Sequence, residues 1–265
     1  MRILALAIAS ICLSGAVPHA AAPALSEDFE TGGGTLERTL IRDPRMTVEA
    51  GAGVDGGKAL RATYVGGPMG SERLVKHLPL GQRGPEYTLN YDVKFADDFQ
   101  FVGGGKLHGL GPDKPVTGGD PIRPDGWSAR VMWREKGRVE LYTYHQDQKD
   151  KYGDHGTVVR PTFFMPGRYH AVSLHVRVNS AAARADGFIR LYIDGVLVER
   201  HEGLRLRGTD GPGTLIGEFL FSTFHGGNDP GWAPKTAAGE YTNVHAWFDN
   251  FAIWPGEHLR SHPGA

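Results

Sequence analysis

Cysteine is nearly absent. The one residue, Cys12, sits in an apolar stretch from Ile3 to Val17 that follows Arg2 and precedes the small residues Ala20, Ala21 and Ala22. That stretch is shorter than the ~20 apolar residues a spanning helix needs. Residues 1–22 therefore read as a secretory signal peptide, with residues 23–265 as a single domain. Loss of Cys12 excludes disulfides, thiol catalysis and cysteine–zinc sites, so an exported fold would be held by its core alone. The same reading predicts a secreted protein (periplasmic or extracellular), monomeric and without membrane attachment after cleavage.

Net charge is also lacking. Lys and Arg number 29 against 30 Asp and Glu. This speaks against a nucleic-acid partner, and any acidic ligand must be met by local clustering of cations. No second apolar span, internal repeat, linker or three-turn amphipathic helix stands out. Hydrolase signatures are missing too: there is no G-x-S-x-G, no H-E-x-x-H among the 12 histidines, and no E-x-D-x-x-E strand of the jelly-roll glucanase type.

What is present is alternation. Tyr87, Leu89, Tyr91, Val93 and Phe95 share one parity, as do Val172, Leu174, Val176 and Val178. Both runs predict strands with one buried face. Asp194-Gly195 between Ile189–Ile193 and Val196–Val198 marks a two-residue hairpin. Further strands are predicted over Ala59–Val65, Leu74–Leu78, Leu215–Phe224 and Ala246–Trp254. The 38 glycines and 17 prolines are spread along the chain as turn residues. The pattern predicts an all-β fold, a β-jelly-roll sandwich (concanavalin-like) whose concave sheet forms a ligand cleft.

The most informative segment is WSARVMWREKGRVELYTYH, Trp127 to His145. A three-residue connection, Glu135-Lys136-Gly137, predicts a type I turn closed by a left-handed glycine. It pairs Arg130 with Tyr142 and Ser128 with Tyr144, at about 4.5–5.5 Å between Cβ atoms. One face then carries Ser128, Arg130, Tyr142 and Tyr144, and the other carries the apolar residues. A one-residue slip would ruin both faces. A neighbouring strand, Phe101 to Leu110, holds three consecutive glycines, a sign of a bulge or close approach. Lys106 and His108 share a parity there.

These residue types suit β-elimination from a 1,4-linked uronate polymer. The reaction must hold the carboxylate, remove the C5 proton and protonate the departing O4. Arg130 is suited to clamp a carboxylate, and Ser128 can add a hydrogen bond. Lys106, Tyr142 and Tyr144 are the proton-transfer candidates. Nearby cations would lower a tyrosine pKa, and desolvation would lower that of Lys106; the spacing does not choose between them. Arg134, Lys149 and Lys151 add charge for flanking subsites, and His108 and His225 are placed at the cleft. Hydrolysis of a glycoside needs two placed carboxylates, and Glu140 is the one acid on the hairpin's polar face. The alternative class is a non-catalytic carbohydrate-binding jelly roll, which does not need Lys106 beside a tyrosine.

GGGKLHGL, WSARVMWR, ELYTYHQDQKDKYGD, STFHGGNDPGWAP and FDNFAIW together resemble the alginate lyases of polysaccharide lyase family 14, with a related likeness to fungal glucuronan lyases. The likeness runs from about Tyr87 to Trp254. It implies a β-jelly roll, endolytic elimination without a catalytic metal, and an acidic polysaccharide substrate, alginate first and glucuronan second. The family's essential lysine falls on Lys106, its Ser-x-Arg on Ser128 and Arg130, and its Tyr-x-Tyr on Tyr142 and Tyr144. Two positions depart from the pattern: His108 stands where a proline is expected, and His225 where an aromatic is expected. Relatives with a structural calcium make Glu27, Asp28 and Asp249 candidate oxygen ligands here.

Overall fold

The computed structural model describes residues 22–265, so the leader read from the sequence lies outside the described residues except for Ala22. Among the described residues, no helix is long and apolar enough to cross a membrane. Two antiparallel sheets stack face to face. The smaller has five strands in the order Leu74–Gly84, Ile216–His225, Gly104–Gly111, Ser128–Arg134 and Val139–Tyr144. The larger has ten, with Glu86–Phe95 between Tyr169–Arg177 and Asn243–Pro255 near its centre. Spatial neighbours that are distant in sequence, such as Gly104–Gly111 beside Ile216–His225, give the jelly-roll topology.

The core fills the space between the sheets, where Tyr91, Phe95, Phe248 and Phe251 meet Trp133, Leu141, Phe219 and Phe221. Alternation predicts this inward set. It does not predict that Thr88, Asn90 and Asp92, on the opposite face, are fully buried as well. The C-terminal tail lies across them: Thr88 donates to the Gly256 carbonyl, Asn90 to the His258 carbonyl, and Arg260 stands 3.4 Å from Asp92. The Asp194-Gly195 hairpin forms as expected, with φ of 49° and 78°. The short strand Met46–Ala50 and the six-residue helix Thr35–Leu40 lie outside the predicted elements.

The three acids read as calcium ligands do not converge. Glu27 accepts the Phe29 and Glu37 amides, and Asp249 accepts those of Val54 and Asn250. Asp28 accepts the Glu30 amide. No group of three or more His, Cys, Asp or Glu side chains with metal-holding geometry occurs among the described residues.

Candidate active site

The hairpin Ser128–Tyr144 has the register that its turn dictates. Ser128 pairs with Tyr144, Arg130 with Tyr142, and Met132 with Glu140. The turn itself differs from expectation. Lys136 and Gly137 both have positive φ, 61° and 80°, and the Arg138 amide donates to the Glu135 carbonyl, so the tip is of the I′ kind. Pairing is unaffected because the Arg134 amide still donates to the Arg138 carbonyl.

The glycine run ahead of Lys106 is explained by close approach. A Cβ at Gly104 would meet the Trp133 carbonyl at 2.6 Å, and one at Gly105 would meet the Trp133 ring at 2.1 Å. Beyond it comes a bulge. Lys106 pairs with Met132 and Gly109 with Arg130, so three steps on one strand match two on the other. The bulge turns both Leu107 and His108 inward. His108 is therefore not at the cleft: it is fully buried, ring to ring with Tyr91, Phe221, Phe248 and Phe251. Its Nδ1 accepts the Ser222 amide, and burial pushes its pKa well below the usual imidazole range.

His225 is a second correction. Strand parity places it with Phe219 and Phe221 on the core side. It stacks on Phe99 at 5.2 Å between ring centres, and its Nε2 lies 2.7 Å from the Gln100 carbonyl. Burial lowers its pKa to about 4.

A cleft of about 510 Å³ lies on the outer face of the five-stranded sheet. Lys106, Met132, Arg134, Tyr142 and Phe224 form part of its lining, with Tyr152 and Trp232 on opposite walls. The Lys106 ammonium is 3.0 Å from the centre of the Tyr142 ring and 2.8 Å from the Met132 sulfur. No carboxylate pairs with it among the described residues. Burial, then the charges of Arg130 and Arg134, push its pKa well below the usual lysine range.

Arg130 lies beneath the cleft floor. It is 5% exposed, and its side chain crosses Gly109, where a Cβ would stand 2.7 Å from the arginine Cγ. Its Nε has no hydrogen-bond partner. Burial lowers its pKa to about 10, with Tyr144 and Tyr142 opposing, so it remains a cation at neutral pH. Arg134 differs, because Glu140 binds it at 2.5 Å and also binds Arg138 at 2.8 Å.

The two tyrosines are not equivalent. Tyr142 lines the cleft, whereas Tyr144 is fully buried behind it, 3.3 Å away between hydroxyl oxygens. The Tyr144 oxygen accepts the Gly119 amide at 2.8 Å. Burial and the bond to Tyr142 raise its pKa far above the usual phenol range. Ser128 shares the patch but not the cleft: it is fully buried and donates to the Val116 carbonyl at 2.7 Å. Lys149 and Lys151 belong to the loop carrying Tyr152 and Gly153 and do not line the cleft; Lys151 lies over the Tyr152 ring at 5.6 Å.

Two cleft residues, Arg73 and Trp232, are not singled out by strand parity or spacing. They lie in loops without periodicity, and His77 aligns with Arg130 only through the registers His77–Leu220, Leu220–Gly109 and Gly109–Arg130. The Arg130 charge, after burial, lowers the His77 pKa.

Solved structures of similar fold include alginate lyase Aly36B, at 25% identity over 90% of this chain and 100% of that one, with a TM-score of 0.69. A marine PL-14 alginate lyase from Aplysia kurodai is 24% identical over 80% of this chain and 88% of that one, TM-score 0.60. An endo-β-1,4-glucuronan lyase from the fungus Trichoderma reesei is 18% identical over 91% and 99%, TM-score 0.58. No curated protein matches the sequence. The sequence profile of polysaccharide lyase 14 matches residues 57–251, most of the chain and all of the cleft described above. The chain therefore belongs to the polysaccharide lyase 14 family.

Proposed function

We propose that the protein is an exported endolytic lyase that cleaves a 1,4-linked polyuronate by β-elimination, with alginate as its first substrate and glucuronan as its second. The observation that carries this reading is Lys106, a desolvated amine 3.0 Å above the Tyr142 ring on the same sheet face as Arg130. A binding module does not require that juxtaposition. The alginate and glucuronan lyases of the same fold, and the Aly36B variants solved with alginate tri- and tetrasaccharide, support the substrate class. The apolar leader supports export.

The chemistry follows from charge. A uronate carboxylate above Arg130 meets a buried guanidinium that lacks an acid of its own. Neutralising that carboxylate makes the C5 proton removable. Lys106, whose pKa is lowered by burial and by the neighbouring Arg130 and Arg134, takes the proton in its unprotonated form. The C5–H electron pair forms the C4=C5 bond as the C4–O4 bond breaks, and O4 leaves with a proton. Tyr142 is placed to give it. The Tyr144 oxygen accepts the Gly119 amide, which leaves its own O–H to donate to Tyr142 and turns the Tyr142 proton toward the cleft. Tyr144 is thus a positioning residue.

The test is ultraviolet absorbance on a panel of polymannuronate, polyguluronate and glucuronan, since elimination creates a conjugated double bond. Signal on one or more is expected. Silence on all three would overturn the reading.

A further inference from the structure

One wall of the cleft holds a cation that the elimination chemistry does not use. Arg73 immediately precedes the strand Leu74–Gly84 and lines the cleft. Its two Nη atoms donate to the carbonyls of His225 and Gly227, each at 3.2 Å, and its guanidinium carbon sits 4.6 Å from the centre of the Phe224 ring. Each Nη keeps a second N–H for a ligand. The adjacent acid, Glu72, is turned away and paired with Arg45 at 2.9 Å. The acid on this wall, Asp229, accepts the Gly231 amide and caps the short turn that follows it. Among the described residues, Arg73 has no carboxylate partner.

An aromatic platform stands beside it. Trp232 lines the cleft, and its indole lies against two glycines. A Cβ at Gly227 would be 2.0 Å from that ring, and one at Gly103 would be 2.5 Å from it. The His-Gly-Gly-Asn turn and Gly103, just before the Lys106 strand, thus both make room for this ring. Register sets the spacing. Leu74 pairs with Thr223 and Phe224 pairs with Lys106, so Arg73 and Lys106 lie two strands apart, about 10 Å at ~4.8 Å per strand. This is a backbone spacing, and it places the two side chains on adjacent stretches of the cleft, where they can meet neighbouring sugars of one extended chain.

We propose that Arg73, seated on Phe224 and flanked by Trp232, forms a subsite that binds the carboxylate of the uronate next to the one being cleaved. The substrate class is then a polymer of consecutive uronates, not a chain in which uronates alternate with neutral or amino sugars. This rests on the polyuronate lyase reading above.

The test compares wild type, Arg73→Gln and Arg73→Lys on a polyuronate that the wild type cleaves and on the same polymer with half its carboxyl groups reduced to alcohols. On the intact polymer, Arg73→Gln should raise KM about tenfold, the size of one charge-assisted hydrogen bond, with a smaller change in kcat. Arg73→Lys should recover part of the loss. On the half-reduced polymer the gap between wild type and Arg73→Gln should shrink, because fewer neighbouring sugars carry the group that Arg73 binds. A merely structural role would keep the gap constant. Equal KM for wild type and Arg73→Gln, or an undiminished gap on the reduced polymer, overturns the subsite while leaving the lyase reading in place. A wild type silent on every polyuronate overturns both.

Discussion

On the ten-stranded sheet, Asp92 is fully buried, and its Oδ2 is met by the Asn250 amide group, the Gly264 amide and the Arg260 guanidinium. On the five-stranded sheet, Arg130 is almost as deeply buried, yet no acid meets it, and the Lys106 ammonium finds only a sulfur and an aromatic face. Taking a charge out of water costs several kcal/mol unless partners replace the solvent. One sheet supplies a cation and two donors to Asp92 Oδ2 from its own strand Asn243–Pro255 and C-terminal tail, leaving Oδ1 unmet. The other leaves such partners out at the cleft, where an anionic sugar can supply them. The contrast separates buried charge that stabilises the fold from buried charge held ready for a ligand.

The strongest way to break this contrast is to remove the unpaired lysine. Lys106→Met should lower turnover about 10²–10⁴-fold, the usual size of a lost proton-transfer group, while the melting temperature holds or rises. Tyr142→Phe should fall in the same range, and Tyr144→Phe should lose clearly less. Steady-state rates beside thermal melts check all three. A melting temperature that collapses with Lys106→Met would assign that lysine to the fold.

The paired side should behave in the opposite manner. Arg260→Ala leaves Asp92 without its cation and should cost about 3 kcal/mol of stability, read by chemical denaturation, with activity per folded molecule unchanged. A variant as stable as wild type would remove the distinction between the sheets.

Acid sharpens the comparison further. His225 is neutral in the core, with a pKa of about 4 in the folded state against about 6.5 unfolded. Between those values the unfolded chain binds the extra proton, so stability is intact above about 6.5 and declines as pH falls toward 4. At pH 5 the loss from His225 alone should be about 2 kcal/mol, and His108 adds a loss of the same sign. Denaturation curves at pH 7.5 and 5 for wild type and His225→Gln test this: the substitution should flatten the dependence. Activity should fall on the acid side as well, because protonated Lys106 cannot accept the C5 proton.

The smallest effect concerns Ser128. Its hydroxyl is committed to the Val116 carbonyl, so Ser128→Ala should cost about 1 kcal/mol of stability and change kcat/KM only a few-fold. A hundredfold loss in kcat/KM would restore it as a substrate contact.

How far the sequence could be read varies along the chain for physical reasons. The hairpin was legible because strand parity and a glycine turn both act locally, so the neighbours of Arg130 and Tyr142 follow from counting. The strand of Lys106 was not, because a bulge between Lys106 and Gly109 inverts the parity of His108, and nothing in GGGKLHGL shows where the extra residue falls. Parity alone would have placed His225 inward, since it follows Phe219 and Phe221 at steps of two. The partition between Tyr142 and Tyr144 depends on the loop of Val116 to Gly119 folding over the patch, a long-range contact with no local signal. Arg73 and Trp232 sit in loops and reach the cleft only through tertiary packing.

The central claim, that the unpaired basic side chains of the cleft serve elimination, is tested most directly by counting chain ends. In a digest of polymannuronate by the wild-type protein, new reducing ends and ultraviolet-absorbing unsaturated ends would be quantified in the same sample. Elimination predicts one unsaturated end for every new reducing end throughout the digest; new reducing ends that appear without matching absorbance would mean hydrolysis and would contradict the account.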